Sequence, residues 1–343
     1  MDHSKLLTTG TKAVGDTDTM MAITQRAYGS PGILRMEELS LPTIREKEVL
    51  VRVEGAGVDR GTLHLLEGKP YAVRMAIGLR KPRNPVPGLA LAGIVEAVGP
   101  AVTRFVKGDA VYGVGKGSFA QFSVTKEATL AHRPRSITAA EAAAIPVSAV
   151  TALQGLRNAG RLRSGQHVLI TGASGGVGSF AVQLAREFGA EVTGVCSAAK
   201  MDLVKELGAH HVVDYRTGSI TDSSDSYDLI FDLAGSTPIP VLRRSLRRKG
   251  TLVVAGDEGG GDWIGVSRLL RAAAQSPFVS QRMTMLVSKD SAKDLDALRD
   301  LVDAGKIYPC LDRSFELHQA SDALQYLASG QVRGKIVLTV PKR

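Results

Sequence analysis

The sequence predicts an α/β chain in two parts, a barrel-like β-rich domain and a doubly wound parallel-sheet domain. Three observations predict it. From Ala22 to about Ala131, short β runs are broken by Gly and Pro, with the period-2 alternation of half-buried strands. From His167 onward, β-rich runs alternate with amphipathic helical stretches, the pattern of a parallel sheet covered on both faces. Near the end the chain returns to β character, and Gly334–Val340 reads as a last strand added to the N-terminal module. A length of 343 residues suits two domains.

In order along the chain, residues 1–21 read as a disordered leader, polar and without the apolar core of a secretory signal. A cytoplasmic location is the matching expectation. Val49–Val53, Gly93–Val98 and Ala110–Tyr112 are β runs of the first module. Between them lies Lys69–Pro87, with Pro70, Pro82, Pro85 and Pro87, five cations and no acid. Such a long connection is a surface loop or a semi-rigid lid that steers anions toward a cleft. Ala139–Ala144 and Val150–Leu156 are helix formers. His167–Thr171, Glu191–Ser197, His211–Asp214, Asp228–Asp232 and Thr251–Ala255 are the strands of the parallel sheet. The tract Gly259-Gly260-Gly261 is a loop. Arg282–Ser288 is a sixth strand, with Met283, Met285 and Val287 alternating with polar residues. As an apolar edge it needs a cover, and a second copy of the chain across a two-fold axis supplies one, giving a homodimer. A helix over Asp294–Ala304 follows. The expected domains are therefore 22–145 together with 308–343, and 146–307.

Composition closes other doors. Hydrophobic residues are 44% and charged residues 22%, ordinary for a globular chain. The net charge of +9 favours an anionic ligand or surface, while aromatics at 5% are too few for a base-stacking nucleic-acid module. Cys196 and Cys310 are the only cysteines, which excludes a disulfide scaffold and a Cys-rich zinc site. No apolar run is long enough to span a membrane.

The strongest local signal is Val168-Leu-Ile-Thr-Gly-Ala-Ser-Gly-Gly-Val-Gly178. It follows a strand and opens a helix whose Val177, Phe180, Ala181, Leu184, Ala185 and Phe188 form one apolar stripe. This is the phosphate turn of a Rossmann dinucleotide domain. Ser174, Gly175, Gly176, Val177 and Gly178 are its candidate contacts. Gly175 and Gly176 let the backbone approach a pyrophosphate, Gly178 lets helix and strand pack closely, and the helix N–H groups face the phosphates. An NAD site places an acid at the end of the second strand. Here that region reads Cys196-Ser197-Ala198-Ala199-Lys200. Ser197 and Lys200 suit a 2′-phosphate, so NADPH is the expected cofactor; the alternative for Lys200 is a solvated helix start. Tyr215 ends the third strand, placed to flank the adenine or meet the phosphate. Ala234, Gly256 and Lys335 complete the candidate cofactor contacts.

The turn also matches short-chain dehydrogenases, but none of the seven tyrosines has Lys four positions later, and the turn lies mid-chain. Over nearly the whole chain, Ala22 to Val340, the sequence resembles instead the zinc-free quinone oxidoreductase branch of the medium-chain dehydrogenase/reductase superfamily. The carrying residues include Pro87-Gly88-x-x-x-Ala92-Gly93, Gly108-Asp109, Gly117-Ser118-Phe119-Ala120, Ala142-Ala143-Ala144-Ile145-Pro146, Ala173-Ser174-Gly175-Gly176-Val177-Gly178, Leu207-Gly208-Ala209 and Arg333-Gly334-Lys335-Ile336-Val337. The resemblance implies a GroES-like catalytic barrel completed by the C-terminal strand, an inserted Rossmann domain, and a site in the cleft between them. It also implies dimerisation through the edge strand.

Zinc-dependent members carry Cys and His-Glu where this chain reads Gly57-Val58-Asp59-Arg60 and Gly88-Leu89-Ala90. No metal is therefore expected. Without a Lewis acid, reduction of an activated double bond or a quinone is easier than oxidation of a plain alcohol. Asp59 is a candidate to anchor a ribose hydroxyl or fix Arg60. His64 is a candidate proton donor or a His packed at a helix start. Thr151 either faces the nicotinamide or bonds its own helix. Arg243-Arg244 and Arg247-Arg248-Lys249 read as a solvated face of a helix before Gly250. The leading reading is an NADPH-dependent reductase of quinones or α,β-unsaturated carbonyls. The rivals are a zinc-free NADP-dependent alcohol dehydrogenase and a non-catalytic NADPH-binding protein.

Overall fold

A computed structural model describes residues 19–218, 227–255 and 280–341. Strand β1 (Thr19–Thr24) pairs antiparallel with β2 (Arg35–Ser40). Strand β1 thus takes in the last three residues of the expected leader; the rest of that leader, the glycine tract and Gly256 lie outside the described residues.

The first domain is a curled sheet in the order β13-β14-β3-β4-β5-β6, closed by a further β3–β6 pairing. Its strands are β3 (Glu48–Val58), β4 (Ala90–Val98), β5 (Ala110–Lys116), β6 (Phe122–His132), β13 (Leu311–Glu316) and β14 (Lys335–Thr339). Strand β3 alternates Val49, Val51 and Val53 into the barrel core and pairs with three neighbours. The final strand completes this domain, as the sequence predicts. Helix α3 (Ala139–Ala143) packs directly on β3. A Cβ at Gly57 would come 2.4 Å from the Ala143 carbonyl, so this close approach requires glycine.

Helix α4 (Pro146–Gln154), nearly all buried, carries the chain from the barrel into the second domain. Its sheet consists of β7 (His167–Thr171), β8 (Glu191–Cys196), β9 (His211–Asp214), β10 (Tyr227–Asp232), β11 (Leu246–Val254) and β12 (Arg282–Met285). The order is β12-β11-β10-β7-β8-β9, all parallel. This is the doubly wound order whose direction reverses between the first and fourth strands, and ligands bind at the C-terminal ends of the strands at that reversal. Here the reversal lies between β7 and β10. Helix α5 (Gly176–Glu187) buries Phe180, Ala181, Leu184 and Ala185 against the sheet, the stripe read from the sequence.

Three elements differ from the sequence reading. Lys69–Pro87 contains a short helix, α2 (Arg74–Ile77). The Arg74 guanidinium lies 4.4 Å from the Tyr28 ring centre and 4.6 Å from that of Tyr71, and its Nε donates to the Gly68 carbonyl at 2.9 Å. One of the five cations is therefore spent on holding the segment down. Strand β12 ends at Met285: Met283 is buried, while Met285 and Val287 are 47% and 64% exposed. The helix α7 (Ile239–Arg244) contains Arg243 and Arg244, but Arg247-Arg248-Lys249 belong to β11. A basic run looks like a helix surface in sequence; the apolar Leu246 and Leu252 that flank it pull it into the sheet.

The domains are joined across a second contact by α8 (Ala292–Asp303), which packs on β6 and α4. The phenol of Tyr112, fully buried, donates to the Leu295 carbonyl at 2.6 Å. Tyr112→Phe removes that bond and leaves the ring in place. We expect a loss of about 0.5–1.5 kcal/mol in stability, measured by denaturant unfolding; an unchanged midpoint would show that the bond does not tie β5 to α8.

Candidate active site

The site is built where the glycine turn after β7 meets the start of β14. Gly172 adopts φ 65, a left-handed conformation suited to glycine. A Cβ on Gly178 would come within 2.1 Å of the Gly172 carbonyl, so helix α5 can begin this close to β7 only with glycine there. Gly175 caps the helix without a side chain, leaving its first N–H groups open. The hydroxyl of Thr171 donates to Asp232 at 2.7 Å and accepts from the N–H groups of Leu233 and Ala234 at 3.0 and 3.1 Å. That network holds the ends of β7 and β10 together at the reversal point, with Ala234 beside Gly172.

The barrel reaches the turn through Arg333, Gly334 and Lys335. The Gly334 N–H donates to the Ser174 carbonyl at 2.9 Å. Gly334 has φ 96, and a Cβ there would meet the Cys310 carbonyl at 2.4 Å. The Lys335 side chain lies against Gly176, where a Cβ would come 2.9 Å from its Cδ and 3.3 Å from the Ser148 hydroxyl. Strand register explains what else meets it: Ile336 pairs with Val58 on antiparallel β14 and β3, so the next position puts Lys335 across from Asp59. Lys335 is 2% exposed, and its ammonium donates to the Val58 carbonyl at 3.2 Å. Burial pushes its pKa down from the usual lysine range, with Asp59 opposing.

Asp59 caps helix α1 (Arg60–Glu67), its Oδ1 accepting from the Thr62 N–H at 2.8 Å. Its other oxygen, Oδ2, is buried without a hydrogen-bond partner. Buried carboxylate oxygens are normally satisfied, so a free acceptor beside a buried ammonium marks this cleft as a place for a polar ligand. His64 is exposed, and no described residue pairs with its ring; it is not the packed histidine of the bland reading. Thr151 donates to its own helix at the Val147 carbonyl, 2.7 Å away, so its hydroxyl proton is engaged within α4 while its oxygen can still accept.

At the end of β8 the picture differs from a free cation awaiting a phosphate. The Lys200 ammonium donates to the Gly330 and Val332 carbonyls at 2.7 and 2.8 Å, one donor remaining. It is thus no solvated helix start. Burial lowers its pKa, with the charges of Arg333 and Arg60 acting in the same direction. Arg333, absent from the sequence-derived site, donates to the Ala199 carbonyl and to Asp202, both at 2.7 Å. Three cations therefore gather around Ser197–Lys200. The signal for Arg333 was its place beside Gly334-Lys335. Tyr215 is 55% exposed, with Arg216 5.6 Å above its ring. Cys196 is buried and its thiol is pushed up to about 11 by desolvation, which keeps it protonated and inert.

Residues 45–135 match the family model of the alcohol dehydrogenase GroES-like domain, and residues 207–338 that of the zinc-binding dehydrogenases. The chain is 31% identical to the chloroplast envelope quinone oxidoreductase homolog of Arabidopsis thaliana, over 93% of this chain and 98% of the relative. It belongs to the medium-chain dehydrogenase/reductase superfamily, in its quinone oxidoreductase-like branch. It is also 31% identical to the NADPH-dependent alkenal/one oxidoreductase of Arabidopsis thaliana, over 91% of this chain and 77% of that protein. The solved quinone oxidoreductase of Coxiella burnetii superposes with a TM-score of 0.83 at 26% identity, covering 94% of this chain and all of that one (100%). The chain is accordingly an NAD(P)H-dependent oxidoreductase of the quinone and alkenal/one reductase type.

The residues fit a dinucleotide: an open helix start, a turn only glycine can make, and a buried cation beside it. They do not fit the zinc of the second family's description. Gly57, Val58, Gly88, Leu89 and Ala90 offer no side-chain ligand, and Asp59 Oδ1 is spent on a helix cap. Among the described residues no group of three His, Cys, Asp or Glu side chains is placed to hold a metal.

A buried ammonium with a single carbonyl partner costs stability. Lys335→Met keeps the stem and removes the charge, but it leaves the buried Asp59 carboxylate without its neighbouring cation, so the protein without cofactor should lose up to about 3–5 kcal/mol. Dinucleotide affinity should fall at least tenfold. Thermal unfolding and fluorescence titration measure the two effects; unaltered dinucleotide affinity contradicts this role.

Proposed function

We propose that this protein is an NADPH-dependent, metal-independent reductase of α,β-unsaturated carbonyls or quinones. The observation that carries the reading is the buried pair at the mouth of the glycine turn, the Lys335 ammonium with one partner and the Asp59 Oδ2 with none. A bound NADPH supplies hydride to an electron-poor carbon. The residues of the chain do the rest. The N–H groups opening α5 and the Lys335 ammonium hold the diphosphate. Asp59 Oδ2 accepts from a ribose hydroxyl. Ser197, the remaining donor of Lys200 and Arg333 meet the 2′-phosphate, and Tyr215 flanks the adenine. Charge developing on the substrate oxygen needs a donor, and His64, exposed on α1, is a solvent-linked proton source. The names of the relatives support the substrate class, and the cation cluster at Ser197–Lys200 supports NADPH over NADH.

The test is NADPH consumption over a panel of enals, enones and quinones, with a chelator present throughout. Turnover unaffected by chelation is expected; oxidation of simple alcohols with NADP⁺ and no reductase activity would replace this reading with the dehydrogenase one.

For cofactor choice, Lys200→Ala should weaken NADPH roughly ten- to a hundredfold, the worth of a charge-assisted contact. Because Lys200 also ties the Gly330–Val332 segment, the informative quantity is the ratio: equal losses for NADPH and NADH would assign Lys200 to domain docking alone.

We also propose a homodimer through β12. It is the outer strand of its sheet, with Met285 and Val287 exposed on it or beside it. Pairing with a second copy covers that edge and gives a continuous sheet of twelve strands, twice the six of one chain. Light scattering at micromolar concentration should give twice the chain mass; a monomer there rejects the pairing.

A further inference from the structure

At the opposite edge of the parallel sheet from the cleft lies a solvent-open cavity of about 480 Å³. Among the described residues its charged lining is Arg161, Arg163, Arg247, Arg248 and Lys249, with Asp228 as the sole acid. We propose that this cavity is a second, oligophosphate-binding site, distinct from the dinucleotide cleft.

Its walls follow from the strand register. Tyr227 of β10 pairs with Leu246 of β11, and Leu229 with Thr251. Four residues of β11, Arg247 to Gly250, therefore stand opposite the single residue Asp228. The surplus bulges from the ladder, and it carries three consecutive cations. Gly250 returns the chain; a Cβ there would lie 2.7 Å from the Leu246 side chain. The other wall is the turn before β7. There Arg161 is the one non-glycine with positive φ among the described residues, at 52°. Held strain of this kind clusters at ligand sites, and here it falls on a cavity-lining arginine.

The charges are poorly matched within the protein. Arg247 bonds Asp228 at 2.6 Å, and Asp228 also accepts from the His167 N–H at 2.9 Å. Arg161, Arg163, Arg248 and Lys249 have no side-chain hydrogen bond or ion pair with any described residue. The lining thus keeps four uncompensated positive charges around one opening. Guanidinium forks match phosphate oxygens two at a time, and a chain of two or three phosphates brings comparable negative charge. The cavity is too large for one phosphate and too polar for an apolar substrate. Asp228 and Asp232 lie four residues apart on β10, so the two sites are separated by about 13 Å, at about 3.3 Å per residue. One ligand therefore cannot be held by the same groups at both.

The experiment uses the full chain saturated with NADPH, which fills the cleft. Inorganic triphosphate, a nucleoside triphosphate and inorganic monophosphate are titrated by calorimetry at low ionic strength. Triphosphate should bind at least tenfold more tightly than monophosphate, and binding should weaken with salt. A further gain with the nucleoside triphosphate would assign the remaining volume to the nucleoside; equal affinity would assign the phosphate chain alone. Arg248→Gln combined with Lys249→Gln changes exposed residues only. It should weaken triphosphate at least tenfold and leave NADPH affinity and turnover unchanged. No triphosphate binding by the NADPH-saturated protein, or equal binding by the double variant, overturns the proposal.

Discussion

The arrangement depends on one desolvated charge. Lys335 places an ammonium 2% exposed against the glycine turn, with one carbonyl for a partner. Desolvation penalises such a group heavily, and the fold keeps it because three backbone features converge there. β14 pairs with β3 so that Lys335 falls opposite Asp59. Gly334 makes the close turn that bonds Ser174. Gly176 leaves room for the lysine stem. A side chain at either glycine would push the barrel off the Rossmann turn. The last strand of the chain thus does two things at once: it completes the barrel and sets a buried cation against the glycine turn of the second domain. On the proposed function, interdomain contact and cofactor recognition are the same contact.

On the proposed function, Asp59 serves both folding and binding with one side chain. Capping α1 takes Oδ1 and fixes the carboxylate orientation. Oδ2 is left dry and unpaired beside Lys335. An apolar residue would satisfy neither demand. A longer acid would cap less well, because the cap geometry suits a short side chain. A binding group held by a helix start is pre-organised, so its acceptor costs little additional ordering when a ligand hydroxyl arrives.

Much of this was legible in the sequence because periodicity reports burial. The limits of β7 and β9 and the apolar stripe of α5 follow from it, as does the return of the last strand to the barrel. The glycine turn was legible because φ 65 at Gly172 favours glycine and a Cβ at Gly178 would meet the Gly172 carbonyl. What the sequence hides is where polar side chains find partners. Lys200 reads as a free cation, yet two carbonyls more than 100 residues away in the chain hold it. Thr151 reads as cleft-facing, yet its nearest acceptor is in its own helix. Arg247–Lys249 read as a helix surface, because a bulge is a property of register between two strands and neither strand alone encodes it. Asp59 stands out as a candidate in the sequence, but its division into a capping oxygen and a free one needs coordinates.

The positive charge of the chain, +9 in all, acquires a geometric sense from the parallel sheet. Helices between parallel strands point their N-termini toward the C-terminal edge, so that edge already carries positive potential from the backbone. Lys335, Lys200 and Arg333 add side-chain charge to it. The opposite edge faces the negative ends of the same helices, where an anion is disfavoured unless side chains reverse the local field. Arg161, Arg163, Arg248 and Lys249 gather at that edge without partners. Cations there complement the helix ends electrostatically, and complementing them accounts for one or two charges near a terminus. It does not account for a strand bulge that carries three more, nor for an arginine held at φ 52. Field neutralisation needs charge nearby and no particular backbone. A ligand needs the charges converging on one volume, and the bulged register and the turned arginine supply that convergence.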